Sequence, residues 1–194
     1  MKTKSVLLAA AAIAVALFAN SVKAYAQMDE RAPGIYAVID GESTPLTYTN
    51  GGTSTSSTNV LGIEIGKRKQ TYKGETSGVR ATDTFVLAIN PEKKAITKTL
   101  KTYDPFIKTL TPDDLIIVPL EVQKNKRVYN EGVSLQGFNL DSKGRVPFEW
   151  EQISDNSFII TAAMLPGEYG IVFKPARLGE YDFNSIFGFF VAEE

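Results

Sequence analysis

The segment Phe148-Glu149-Trp150-Glu151-Gln152 holds the residue types best suited to chemistry in this chain. On a β-strand successive side chains point to opposite faces, so Glu149 and Glu151 share one face, with α-carbons about 7 Å apart. Phe148, Trp150 and Gln152 share the other. A retaining glycosidase holds two carboxyl groups about 5 to 5.5 Å apart, one as nucleophile and one as acid. On that reading Glu149 and Glu151 are the catalytic pair of a carbohydrate-active enzyme. A simpler arrangement accounts for the same alternation: Trp150 enters the core and both glutamates meet water. A third reading is a carbohydrate-binding module. Trp150 and Tyr129, with Tyr36, Tyr48, Tyr72, Tyr103 and Tyr181, could stack on sugar rings if several faced outward. A single tryptophan is a small supply for such a platform.

Other constellations carry less. Asn139, Asp141 and Ser142 before Gly144 faintly suggest a calcium loop, but Lys143 falls where an oxygen ligand is needed, so a turn is expected. Ser57 and Ser77 could meet a lysine only through tertiary structure. No Gly-rich phosphate loop stands between a strand and a helix. The chain has no histidine and no cysteine. That excludes Ser-His-Asp and Cys-His catalysis, removes the commonest metal ligands, and rules out disulfides. No metal and no cofactor are expected.

These residues must be carried by an exported domain. Lys2 and Lys4 precede an apolar run from Val6 to Ala19. A run of about fourteen residues is too short to span a bilayer, which takes roughly 20. Ala24-Tyr25-Ala26 then supplies small residues at the cleavage positions. Residues 1–26 therefore read as a signal peptide and 27–194 as one domain, periplasmic or secreted, with Gln27 first and no integral membrane segment after cleavage. No cysteine is present to take a lipid. Cleavage leaves 18 basic against 22 acidic residues. The stretch from Val60 to Asn130 is basic by about five and the tail from Glu131 acidic by about six. Such a balance, with no dense basic stripe, argues against nucleic acid as a partner. At roughly 170 residues the domain can stand on its own hydrophobic core.

The pattern along that domain is β. Gly34 to Ile39 reads as a strand, followed by an Asp40-Gly41 hairpin turn. Leu46 to Thr49 is a second strand, ending at a turn signal, Asn50-Gly51-Gly52. Thr53 to Thr58 has nothing large to bury and is expected to be a mobile loop rather than an edge strand. Val60 to Ile65 alternates, Lys67 to Lys73 suits a solvent-facing strand, and Thr84 to Ile89 suits a strand buried on both faces. Residues 90–103 fit a short helix or a hairpin equally, and Thr111-Pro112-Asp113-Asp114 repeats that ambiguity. Leu115 to Val122 is a strand whose Pro119 demands an edge or a bulge. Val146 to Ile153, Ser157 to Ala162, Gly167 to Phe173 and Ile186 to Ala192 complete the set. Nine to eleven short strands with at most one or two short helices predict an all-β, two-sheet antiparallel sandwich, immunoglobulin-like or jelly-roll-like. Phe85, Leu87, Ile117, Trp150, Ile159 and Val172 are its expected core. Ala32-Pro33-Gly34-Ile35-Tyr36 and Leu165-Pro166-Gly167-Glu168-Tyr169 share P-G-x-Y, which reads as one turn solution used twice.

The run Leu165 to Phe173, then Phe187-Gly188-Phe189, resembles the end of certain exported bacterial β-sandwich proteins of uncharacterised function. Leu115 to Arg127, an apolar strand with a lysine-rich turn and an arginine, is similar to theirs as well. The likeness covers about the last 85 residues. It implies a fold and carries no catalytic residue. A second likeness, on the same L-x-x-G-x-Y strand, is to the C-terminal sorting domains of a Gram-negative secretion system, whose lysine-bearing last strand is missing here. The sequence therefore points to an exported non-catalytic binding or structural module of the bacterial cell envelope, with an envelope protein or a polysaccharide as partner. The paired-glutamate enzyme and the carbohydrate-binding module are the alternatives.

Overall fold

The computed structural model describes residues 32–60, 63–89, 110–135, 138–139, 144–174, 183 and 185–193. The expected signal peptide, the helix or hairpin at 90–103, the turn at 141–143, and Tyr103 and Tyr181 lie outside them. Strands form where β-branched and aromatic residues alternate or run together: β1 (Gly34–Ile39), β2 (Glu42–Pro45), β3 (Thr47–Val60), β4 (Ile63–Lys73), β5 (Arg80–Ala81), β6 (Thr84–Ala88), β7 (Leu115–Gln123), β8 (Lys126–Leu135), β9 (Phe138–Asn139), β10 (Glu149–Ser154), β11 (Ser157–Thr161), β12 (Gly167–Phe173) and β13 (Ser185–Val191). One 3-10 turn, Pro112–Asp114, is the only helix among the described residues.

The class is all-β with two sheets. Five strands run antiparallel in the order β10-β11-β6-β1-β2. Its β1–β2 hairpin turns at Asp40 and Gly41, with φ of 52° and 81°. Two positive φ values at a two-residue loop match the twist of the flanking strands, which is why Asp-Gly serves there. The second sheet closes on itself. The antiparallel order β12-β7-β8-β4-β3-β13 returns to β12 and makes a six-stranded barrel. β5 continues beside the end of β13 in parallel, and β9 pairs with β8.

Closure gives the protein two interiors. Between the sheets lie Ile35, Ala37, Phe85, Leu87, Phe158 and Ile160 from the five-stranded sheet, against Leu115, Ile117, Tyr169, Ile171, Phe173, Phe187 and Phe189 from the barrel. Inside the barrel lie Tyr72, Ile116, Val118, Leu120, Tyr129, Val172 and Ile186. Strands β7, β12 and β13 serve both: alternate residues enter opposite cores, so these strands read as near-continuous apolar runs. Aromatic rings fill the intersheet core. Phe85 and Phe189 stand 4.7 Å apart between ring centroids, and Tyr169 stacks on Phe189 at 5.6 Å.

Several expectations change. Thr53 to Thr58 is not a loop: β3 runs through it, paired with β4 residue by residue from Gly51↔Tyr72 to Val60↔Ile63. The ladder supplies the ordering that burial cannot, and threonine suits it. The Thr53 hydroxyl donates to Gln70 Oε1 at 2.8 Å, and that of Thr71 to the Gly52 carbonyl at 3.0 Å. The glycines at 51 and 52 mark no turn. A Cβ on Gly51 would stand 2.5 Å from the Tyr72 ring, so this glycine lets two barrel strands close over an aromatic. Trp150 does not enter the core but lies at the sheet's edge, 44 % exposed. Ile159 is half-buried on the face opposite Phe158 and Ile160. Val172 is buried, in the barrel rather than between the sheets. Lys67 to Lys73 is a strand as expected, yet Gln70 and Tyr72 on it are fully buried. At Pro119, β7 pairs with β12, while its ladder to β8 starts only at Glu121, so the proline sits where a second ladder is missing.

The two P-G-x-Y segments use the same hydrogen bond. The Tyr36 hydroxyl donates to the Ala32 carbonyl at 2.8 Å and the Tyr169 hydroxyl to the Leu165 carbonyl at 2.7 Å, each four residues back. The ring lies along its own strand and pins the chain that enters it.

Candidate functional site

Strand β10 places Glu149 and Glu151 on one face, both exposed, at the outer edge of the five-stranded sheet. Their partners on β11 are Thr161 and Ile159. Trp150, on the other face, packs edge-on against Phe158 with centroids 5.8 Å apart. Its indole N–H donates to Asp113 Oδ1 at 3.2 Å, so the 3-10 turn fixes the ring while leaving part of it open to solvent. Tyr129 is far from this arrangement. It lines the barrel, 4 % exposed, with its ring stacked on Phe183 at 5.0 Å and 15°. The structure therefore keeps Trp150 and Tyr129 apart. Tyr36 and Tyr72 are buried as well.

A half-open cleft of about 360 Å³ lies elsewhere, lined by Arg80, Thr82, Asp83, Met164 and Val191 among others. Neither Glu149 nor Glu151 lines it. It sets one charge of each sign beside a thioether, at the seam where β5 and β13 meet the start of β6.

The most polar buried cluster stands in the barrel, and the sequence reading passed over it. Arg127 on β8 is 1 % exposed. Its Nη2 donates to the Lys73 carbonyl at 3.3 Å, and its Nη1 lies 3.7 Å from Glu168 Oε2. The same carboxylate oxygen accepts from the Ser77 backbone N–H at 3.1 Å. Among the described residues, Arg127 Nε and Nη1 and the Ser77 hydroxyl have no hydrogen-bond partner. Burial pulls the pKa of Arg127 down from its ordinary value, while the Glu168 carboxylate and the Tyr72 hydroxyl act in the opposite direction. The space is made by Gly188, where a Cβ would stand 2.6 Å from Arg127 Nη1. The Phe187-Gly188-Phe189 motif thus sends two rings into one core and clears room for a guanidinium in the other. The sequence signal was there in part: Arg127 ends a lysine-rich turn, and Glu168 precedes Tyr169 on a strand read from Gly167 to Phe173.

Among the described residues no cluster of three or more Asp or Glu could hold a metal ion, and no helix is long and apolar enough to cross a membrane. No known protein family, characterised protein or solved structure matches this chain.

Proposed function

We propose that the chain is an exported, non-catalytic binding or structural module of the bacterial cell envelope, periplasmic or secreted, cut after Ala26. The non-catalytic part rests on one observation: Glu149 and Glu151 are exposed on an edge strand and line no part of the described cleft. A glycosidase pair needs a recess that grips the sugar and tunes the acid. Export rests on the order of Lys2 and Lys4, the apolar run and Ala24-Tyr25-Ala26. The partner class, an envelope protein or a polysaccharide, follows from that location. Within the all-β class, we read the five-stranded sheet packed on β7, β12 and β13 as a sandwich built onto a barrel, in place of a plain immunoglobulin-like or jelly-roll sandwich. The resemblance to exported bacterial β-sandwich proteins supports the same reading.

Carbohydrate binding is the second reading, favoured by the half-exposed Trp150 that Asp113 holds in place. Screening the exported protein against envelope polysaccharides, for binding and for hydrolysis, tests both. The first reading expects no hydrolysis. Hydrolysis that disappears in Glu149→Gln/Glu151→Gln would overturn it. Binding that Trp150→Ala abolishes would select the second. Intact mass decides export, and a mass that still includes residues 1–26 contradicts it.

A further inference from the structure

The half-open cleft beside β5 has fixed walls. β5 pairs in parallel with the end of β13, Phe190↔Arg80 and Val191↔Ala81, and the Phe190 N–H donates to the Val79 carbonyl at 2.8 Å. Toward β6, the Ala162 N–H donates to the Asp83 carbonyl at 2.8 Å and the Thr82 hydroxyl to the Val38 carbonyl at 3.4 Å. The segment from Val79 to Asp83 is thus tied at both ends to neighbouring chain. The floor is apolar: Ala81 belongs to the intersheet core, and Met164 and Val191 pack against it. At about 360 Å³ the space falls at the small end of ligand pockets.

Two opposite charges line this space and are not spent on each other. Among the described residues, the exposed Arg80 guanidinium has no ion-pair or hydrogen-bond partner. The exposed Asp83 carboxylate accepts from the Thr84 hydroxyl at 2.9 Å and, among the described side chains, from no other. A carboxylate has about four acceptor sites, so most of its capacity is left. An apolar ligand in the cleft would strip water from both charges and return nothing. An anion alone would also meet Asp83, and a cation alone would also meet Arg80. A molecule with an anionic end, a cationic end and an apolar middle suits the whole lining, since a guanidinium fork matches a carboxylate and Asp83 matches an ammonium.

We propose that the cleft binds a zwitterionic dipeptide with an aliphatic side chain. Its carboxylate meets Arg80, its ammonium meets Asp83, and its side chain lies on Met164 and Val191. The length follows from the two charges being unpaired in the free protein. A ligand whose own charges stand apart bridges them without moving either, and a dipeptide spreads its ends over roughly 7 Å. A free amino acid carries both charges on one carbon. The inference goes beyond the proposed function and does not rest on it.

Methionine-methyl NMR of the exported protein reads occupancy of the cleft, with the Met164 signal assigned through Met164→Leu. Alanyl-leucine shifts that signal with a dissociation constant in the millimolar range, because exposed charges each add little. Asp83→Asn weakens alanyl-leucine about fivefold and leaves binding of its N-acetyl derivative unchanged. Arg80→Gln weakens alanyl-leucine about fivefold and leaves binding of its C-terminal amide unchanged. Matching each variant to one blocked ligand separates direct charge contact from a change in fold. A Met164 signal that alanyl-leucine does not move overturns the proposal. So does a peptide blocked at both ends that binds as tightly as the free one, or a variant that weakens free and blocked peptides equally. Leucine that binds more tightly than alanyl-leucine overturns the assignment to a dipeptide.

Discussion

The intersheet core and the barrel core share a wall, yet they are built by different rules. Between the sheets, side chains are apolar and aromatic, and the one phenolic hydroxyl from the shared wall, Tyr169, is met by a local carbonyl. Inside the barrel, Tyr72, Val118, Val172 and Ile186 share the space with a fully buried glutamine and a fully buried arginine. The intersheet core is held by area and ring contacts. The barrel has to balance desolvated polar groups against one another, and small residues at Gly51 and Gly188 make that possible. The difference teaches how the same three strands can bind two layers: each contributes one face to a purely hydrophobic interior and the other to a mixed one.

Substitution should separate the two. The largest effect is expected between the sheets. Phe189→Ala removes a ring that touches both Phe85 and Tyr169, and should cost about 3–5 kcal/mol in denaturant unfolding. A loss near that of a surface substitution would show that the sheets are not packed through this ring.

Next comes the barrel. Glu168→Leu leaves the Arg127 cation buried without its partner and should cost about 3 kcal/mol. Arg127→Met together with Glu168→Leu should recover most of that loss, since an apolar pair of similar size is often no worse than a buried ion pair. If the double variant is as unstable as the single one, the barrel interior needs the charge itself, and the contrast drawn between the cores is wrong.

A smaller effect is expected at Tyr169. Its hydroxyl bond to Leu165 makes Tyr169→Phe cost about 1 kcal/mol at neutral pH. Burial raises the pKa of this phenol above the ordinary value of 10.0, with the Leu165 bond acting in the opposite direction. The unfolded chain therefore releases this proton first. The stability involved is fully present below the unfolded pKa and is lost as pH rises through the folded one. Urea midpoints should fall above pH 10 in the native protein, and less steeply in Tyr169→Phe. Equal slopes would remove Tyr169 as the cause.

What could be read from the sequence follows the same division. Strands with a face toward the intersheet core were legible, because alternation or continuous apolar character is the direct trace of such burial. Gly167 to Phe173 and Asp40-Gly41 stand as read. Barrel closure was not legible. Lys67 to Lys73 reads as a solvent-facing strand because its residues are mostly polar, which hides that the barrel buries Gln70 and Tyr72. Gly51 reads as a turn because a sequence cannot show the ring lying across from it. Thr53 to Thr58 reads as a loop because its order comes from a ladder to β4, not from anything it buries. For the candidate site, alternation placed Glu149 and Glu151 together on an exposed face, as one of its readings required. It could not say that Trp150, on the outer strand of its sheet, keeps its ring half open.

The claim beneath this account is that β7, β12 and β13 form one wall serving two cores. Native-state hydrogen exchange resolved by residue tests it most directly. Amides in the paired stretches Ile116 to Val118, Gly170 to Val172 and Phe187 to Gly188 should exchange only through global unfolding, with one common free energy, while Thr55 to Thr58 on β3 opens more easily. If the wall strands instead open below the free energy of Phe85 to Leu87 on β6, the two cores are separately held and the shared wall does not join them.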